Sequence, residues 1–400
     1  MRRSEHGVMH TLFEQDAPSP GVLHFMLDAA ARLELERDLG GMLDRVLTFA
    51  RQITGARAGS LYLVEGDALA FLACQNDEID ITQFITLDRD DPHTIPRSEE
   101  SIAGYVALRG EPLLIPDVHA IPEDRPYRFY AAIDRKSGFR TDNILAVPLH
   151  HPNEGVIGVM ELINHCLIDP EHWSMGLVRH FAVLCASCIV NMKMERALED
   201  AYLETIFRLG IASEYKDDDT YAHVQRIRHT SRIIAEEMGC SEEEQHAIFH
   251  ASAMHDLGKI GVPDAILNKP GKLNAEEWKT MQSHAAMGSA ILDGSEAELL
   301  RVSARIAGCH HERWDGGGYP NGLAGAEIPL EARIVAVADV FDALVNERAY
   351  KKAWPVEDAV GLIKAESGSH FDPAVVDAFL NRLDEIVRVQ RHYQGKPPRV

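Results

Sequence analysis

Four hundred residues with 46% hydrophobic content exceed what one ordinary core needs, so two domains are expected. A formal net charge of -22 opposes association with long nucleic acid, which depends on basic surface displacing phosphate counterions. A small phosphate ester stays compatible if metal ions and a few placed cations invert the field locally. No apolar run reaches the roughly 18 residues that span a bilayer, and the opening MRRSEHGVMHTLFEQDAPSPG lacks a secretory apolar core. With six dispersed cysteines, a soluble cytoplasmic protein without membrane span or disulfides is expected.

In chain order, an amphipathic stretch over residues 21–53 precedes the strand-like runs SLYLVE and ALAFLAC, separated by a hairpin-like turn at Gly66-Asp67. EPLLIPDV, DNILAVPLHH and GVIGVMELIN read as further strands and SIAGYVALRG as a short helix, giving an α+β domain that ends near residue 169. From residue 175 to about 210 there is no proline, and Leu177, Phe181, Leu184, Cys188 and Met192 recur at spacings of three and four. That is the pattern of a long connecting helix, through which two copies would pair as a homodimer, although Asn191 and Glu195 interrupt the seam. Cys185 and Cys188 show C-x-x-C spacing but have no second pair, and inside an apolar helical pattern they read as buried small hydrophobes. Beyond residue 215 the pattern is helical almost throughout, with stops at KPGKL and DGGGYPNGLAG, so a helical bundle is expected. The tail after residue 387 reads as solvated.

The 20 histidines divide evenly at residue 201, so spacing rather than abundance must locate a metal site. The adjacent pair His255-Asp256 lies late in a helical run that stops at Gly258; alone, such a pair is more often a satisfied polar contact than a ligand set. It has company in His223 one helix upstream, His284 one downstream, His310-His311 at another helix end, and Asp339 inside the apolar run IVAVADVF. Facing helices can converge such groups inward, and mixed nitrogen and oxygen donors suit Fe, Mn, Zn, Co or Ni rather than calcium. A carboxylate such as Asp256 can bridge two metals about 3.5–4 Å apart, a spacing suited to in-line attack on phosphorus. Lys259, three residues after Asp256, falls on the same side if the helical turn continues and would face a phosphoryl oxygen gaining charge; the plain alternative is a surface lysine. Asp342, Arg348 and Lys351 follow Asp339 closely and, without further context, read as solvated. Gly316, Gly317 and Gly318 offer positive φ angles for a tight loop beside the site, with Tyr319 able to stack on or hydrogen-bond a base.

HDLGK at 255–259, HHERWDGGGYP at 310–320, IGVPDAILNKPGKL, IPLEARIVAVADVFDAL and RAYKKA together closely resemble the HD-GYP family, bacterial cyclic di-GMP phosphodiesterases within the HD hydrolase superfamily. The likeness covers nearly all of residues 205–375 and keeps HHExxDGxGYP intact. It implies that His223, His255, Asp256, His284, His310, His311 and Asp339 ligate metal, and that Lys259, Asp342, Arg348 and Lys351 contact substrate, with Asp256 and Lys259 serving catalysis. One position departs: where three-metal members carry glutamate four residues before the first ligand histidine, this chain has Asp219. An aspartate reaches roughly 1.3 Å less far, so two tightly held divalent transition metals, Fe or Mn, are expected, with Asp219 serving a weak or partly occupied third site.

SIAGYVALRGEPLLIPDV, SGFRTDNILAVPL and GVIGVMELIN are similar to GAF sensor domains over about residues 30–195, and DRKSGFRTDNIL is similar to those that bind cyclic mononucleotides. The acidic residues such domains carry after Asn164 are not matched, so the ligand stays open among a cyclic nucleotide, another small molecule or none. The expected architecture is multidomain: an N-terminal α+β GAF-like domain with the connecting helix over residues 25–192, then a C-terminal all-α HD-type helical bundle over 193–400. The expected activity is hydrolysis of cyclic di-GMP to linear pGpG, with further conversion to GMP left open. Hydrolysis of another cyclic dinucleotide such as cyclic GMP-AMP, or reception of one without turnover, are the alternatives.

Overall fold

A computed structural model of the chain describes residues 20–36, 38–80, 94–166, 175–216, 221–347 and 352–394. These form two compact units, Met1–Leu198 and Glu199–Val400.

In the first unit the amphipathic stretch forms two helices, α1 (Pro20–Glu34) and α2 (Leu39–Thr54). The break has a cause: the Asp38 carboxylate accepts from the amides of Gly40 and Gly41 at 2.7 and 3.1 Å, capping α2. The hairpin of β1 (Ala58–Glu65) and β2 (Ala68–Asn76) follows as expected, then β3 (Thr94–Pro96), α3 (Ile102–Arg109), β4 (Leu113–Ile115), α4 (Ala132–Ser137), β5 (Ile144–His151) and β6 (Gly155–Ile163). The strands make one antiparallel sheet of order β3-β2-β1-β6-β5-β4. Period-two alternation sorts its two faces. Leu61, Leu63, Leu145, Val147 and Leu149 pack with Val46 and Leu47 of α2, whereas Ile144, Ala146 and Val159 pack with Val106 and Ala107 of α3.

Helix α5 (Met175–Glu214) begins in this unit. It is long and apolar enough by composition to cross a bilayer, yet Leu177, Phe181, Cys185 and Ile189 are core residues. Cys185 and Cys188 are free thiols, the first fully buried, as small hydrophobes would be.

The second unit is helical: α6 (Tyr221–Glu237), α7 (Glu242–Ala251), α8 (Asp264–Leu267), α9 (Ala275–Leu292), α10 (Glu298–Cys309), α11 (Leu330–Val345), α12 (Val356–Ala365), α13 (Pro373–Asn381) and α14 (Leu383–Tyr393). Capping boxes at Ser241/Glu244 and Asn274/Glu277 start α7 and α9. Ile234, Phe341, Ile363 and Phe379 lie at the centre of one core that joins α6, α11, α12 and α13. As far as the described residues run, the chain after residue 387 is not a solvated tail: α14 continues to Tyr393, whose hydroxyl meets His229 Nε2 at 3.0 Å, and buries Gln390.

Candidate metal centre

The run carrying His255-Asp256 does not continue as one α-helix to Gly258. Helix α7 ends at Ala251, and 3₁₀ turns over Ser252–Met254 and Leu257–Gly261 flank the pair. His255 keeps helical angles, φ -55° and ψ -37°, but Asp256 leaves them at φ -104° and ψ 15°, so the pair sits at a break between the two turns. His255 Nε2 and Asp256 Oδ2 lie 3.3 Å apart.

Two close backbone approaches assemble the rest. A Cβ on Gly258 would fall 1.8 Å from the carbonyl oxygen of His284, so only glycine lets this turn seat against α9 and brings Asp256 to His284. A Cβ on Gly210 would fall 2.2 Å from the Ala253 carbonyl oxygen, so the end of α5 lies against the turn before His255. Lys216 then pins the junction, its ammonium donating to the carbonyls of Lys259, Ile260 and Val262 at 3.2, 2.8 and 2.6 Å.

Among the described residues the result is two groups of donors, Asp256 with His284, His310 and His311, and Glu214 with His223 and His255; within each group one donor atom from every residue lies within 4.8 Å of the others. Asp256 Oδ1 is 3.3 Å from His284 Nε2 and 3.5 Å from His310 Nε2, and Asp339 Oδ1 is 4.0 Å from His255 Nε2. Lys259 Nζ sits 2.8 Å from Asp256 Oδ2 and 3.5 Å from Glu214 Oε2, in a 3₁₀ turn rather than a helical one.

The imidazoles are oriented from behind. Nδ1 of His255 faces the Ser252 carbonyl at 2.9 Å, that of His284 the Met281 carbonyl at 2.7 Å, and that of His310 the Ile306 and Ala307 carbonyls at 3.1 Å. A carbonyl can only accept, which assigns the proton to Nδ1 and leaves the Nε2 lone pair pointing inward. Nε2 of His255, His284 and His310, Oδ1 of Asp256 and both oxygens of Glu214 are buried with no hydrogen-bond donor. Each such acceptor costs roughly 1–3 kcal/mol if left so. Converged acceptors backed by second hydrogen bonds are what a divalent transition metal requires, so the residues fit one.

The imidazoles divide by charge: against the cost of burial, neighbouring carboxylates raise His255 and His284, whereas His310 and His311 are lowered. Burial, then the neighbouring imidazole His310, hold His311 neutral, and burial lowers His310 as well, keeping lone pairs available. Burial would also lower His255, but Asp256, Asp339 and Glu214 outweigh it and raise its imidazole to about 10, the mark of a pocket that attracts a cation.

Asp342 is elsewhere than expected. Its carboxylate is buried, accepting from Arg226 Nε and Nη2 at 2.5 and 2.9 Å and from His223 Nδ1 at 2.8 Å. It orients a ligand candidate from behind and has no surface for substrate. Burial would raise its carboxyl, but those hydrogen bonds hold it well below the carboxylate range. Asp219, Arg348 and Lys351 lie outside the described residues. Of the three glycines in the GYP loop only Gly316 has positive φ, 80°; Gly318 is required because a Cβ would meet the Arg313 amide nitrogen at 2.4 Å. Tyr319 stacks on His311, ring centroids 4.8 Å apart, and Trp278, half exposed, stands beside it at 6.4 Å. Glu312, buried, braces this loop by accepting from the Asn321 and Leu323 amides.

In the first unit an open cleft of about 420 Å³ is lined by His119, Asp134, Arg135, Phe139 and Arg140. Asp134 is spent internally, accepting from the Thr141 amide and hydroxyl at 2.8 and 3.0 Å.

Residues 212–375 match the family model of the HD domain, and residues 38–189 that of the GAF domain. The cyclic di-GMP phosphodiesterase response regulator RpfG of Xanthomonas campestris is 49% identical over 192 residues, 48% of this chain and 51% of that protein. A cyclic di-GMP phosphodiesterase of Thermotoga maritima is 48% identical over 193 residues, 48% of this chain and 52% of that protein. The 3'3'-cGAMP-specific phosphodiesterase 2 of Vibrio cholerae is 42% identical over 200 residues, 50% of this chain and 38% of that protein. The chain thus spans about half the length, or less, of these relatives. Residues 38–189 are a GAF domain, and residues 212–375 an HD domain that carries the HD-GYP signature.

Proposed function

We propose that this chain is a cytoplasmic, homodimeric phosphodiesterase that hydrolyses cyclic di-GMP to linear pGpG, under the control of its GAF domain. The observation that carries the reading is the convergence of inward imidazole nitrogens on Asp256 beside the buried ammonium of Lys259. His223, His255, Asp256, His284, His310, His311 and Asp339 would hold two divalent metals, Fe or Mn, with Asp219 at a weak third position. When bound, such metals supply Lewis acidity toward phosphate and water of lowered pKa.

The chain's own residues do the rest. Lys259 offsets charge gathering on a phosphoryl oxygen in a site shielded from water, where one placed cation counts for most. Tyr319 and Trp278 offer rings against which a guanine can stack. Arg348 and Lys351 supply positive charge for the second phosphate. The six cysteines are all free, which suits a reducing compartment.

The 42% identity to a protein named for 3'3'-cGAMP supports a second substrate reading, the mixed cyclic dinucleotide. Anaerobically purified full-length protein, assayed with both dinucleotides and with metal content measured on the same sample, is the test. Cleavage of cyclic di-GMP to pGpG is expected. Tight binding of cyclic di-GMP without cleavage by metal-loaded protein would instead make the chain a receptor. For the substrate contacts, Lys351→Ala should raise KM and spare metal content, and unchanged kinetics would remove it from the site.

A further inference from the structure

Glu214 belongs to none of the motifs in the sequence. It closes the long helix α5, nine positions before His223, and its side chain is fully buried. Among the described residues neither carboxylate oxygen has a hydrogen-bond donor, and a carboxylate oxygen lies within 4.8 Å of donor atoms of both His223 and His255. Lys259 is near, 3.5 Å from Oε2, but it lies closer to Asp256, at 2.8 Å. That ammonium is thus shared between two buried carboxylates, Glu214 and Asp256, and Asp339 stands 4.0 Å from His255 on the same site. A buried carboxylate with no donor is stable only beside a cation. The helix end that presents it is held on two sides, by the Gly210 approach to Ala253 and by the Lys216 clamp. The position is thus fixed by packing and not by a swinging side chain.

We infer that Glu214 is a metal ligand, forming with His223 and His255 the second of two divalent-cation positions, while Asp256, His284, His310 and His311 form the first. The inference rests on the metal-dependent reading above and adds to it a carboxylate that does not belong to the signature. Imidazole pairs with one carboxylate suit Mn²⁺ or Fe²⁺. Asp256 lies between the groups, with one oxygen toward His284 and the other toward His255, and so joins the two positions.

The test is Mn²⁺ titration of chelator-stripped full-length protein by calorimetry, with bound metal counted by mass spectrometry. Glu214→Gln, which keeps the packing volume, should bind one equivalent fewer than wild type, or bind that equivalent at least about tenfold more weakly. Wild-type stoichiometry and affinity in this variant would overturn the inference. The double variant Glu214→Gln/Lys259→Met separates ligation from mere pairing with the ammonium. A ligand role leaves the equivalent missing, whereas its recovery would show that Glu214 only neutralises Lys259 and would overturn the inference. If stripped Glu214→Gln unfolds, the titration is run on Glu214→Asp: weaker binding of that equivalent supports ligation, and wild-type affinity overturns it. Wild-type protein that binds no Mn²⁺ at all would sink the metal reading itself, a result distinct from loss of one equivalent.

Discussion

Two acids with nearly equal burial behave oppositely in the two units. Glu161 on β6, 9% exposed, meets the hydroxyl of Tyr62 at 3.2 Å, and burial pushes its carboxyl up to about 7. Asp256, 6% exposed, suffers the same burial, but Lys259 and then His255 and His284 hold it ionised well below the carboxylate range. Burial alone makes an acid that keeps its proton; burial among placed nitrogens makes a stored negative charge. The first arrangement suits a sheet interior, and the second is where a cation and a phosphate can meet.

That contrast can be broken most directly at Asp256. Asp256→Ala should abolish turnover and strip metal, exceeding the roughly 100-fold upper cost of losing a residue that merely supports a ligand. Elemental analysis with a cyclic di-GMP assay checks it, and retained metal with near wild-type hydrolysis would refute the mechanism.

Next in size is Glu161. Its folded value of about 7 lies above the ordinary 4.5, so the folded first unit holds the proton more tightly than the unfolded chain. The contribution is fully present below about pH 4.5 and is lost as pH rises through about 7, amounting to roughly 3 kcal/mol at about 1.4 kcal/mol per pH unit. Glu161→Gln should remove that dependence and leave the sheet more protected at pH 8, as read by hydrogen exchange of β1 and β6 in the full chain. An unchanged pH profile would mean that the acid ionises in place.

The smallest effect sharpens the second half of the comparison. Asp342→Asn keeps the volume but weakens the hold on His223 Nδ1 and Arg226, and should lower metal affinity by roughly 10–100-fold. Competition with a chelator measures it. A raised KM with metal affinity intact would return Asp342 to the substrate side.

The error over Asp342 shows where sequence reasoning runs out. Asp339 and Asp342 are one helical turn apart, so spacing puts both on the same side of α11, yet one approaches His255 and the other Arg226 and His223. Which acid has a guanidinium behind it is decided by α6, not by α11. Glu214 was missed for a related reason: it lies at the end of a run whose apolar spacing reads only as a connector, and its partners are brought to it by the fold. The imidazoles that the fold gathers around Asp256 stood out in the sequence as the adjacent pairs His255-Asp256 and His310-His311. The 3₁₀ turns around His255 were not, since SAMHDLG has ordinary helical composition. Strand β3, three residues long, is too short to show alternation.

The Lys216 clamp has a mechanical meaning. Three carbonyls of the turn that carries Lys259 are tied to one ammonium at the foot of α5. Glu214 and Lys259 therefore ride on a common joint rather than on independent hinges. Because Gly210 of the same helix also seats against Ala253, just before His255, ligand candidate, cation and imidazole are held as one block.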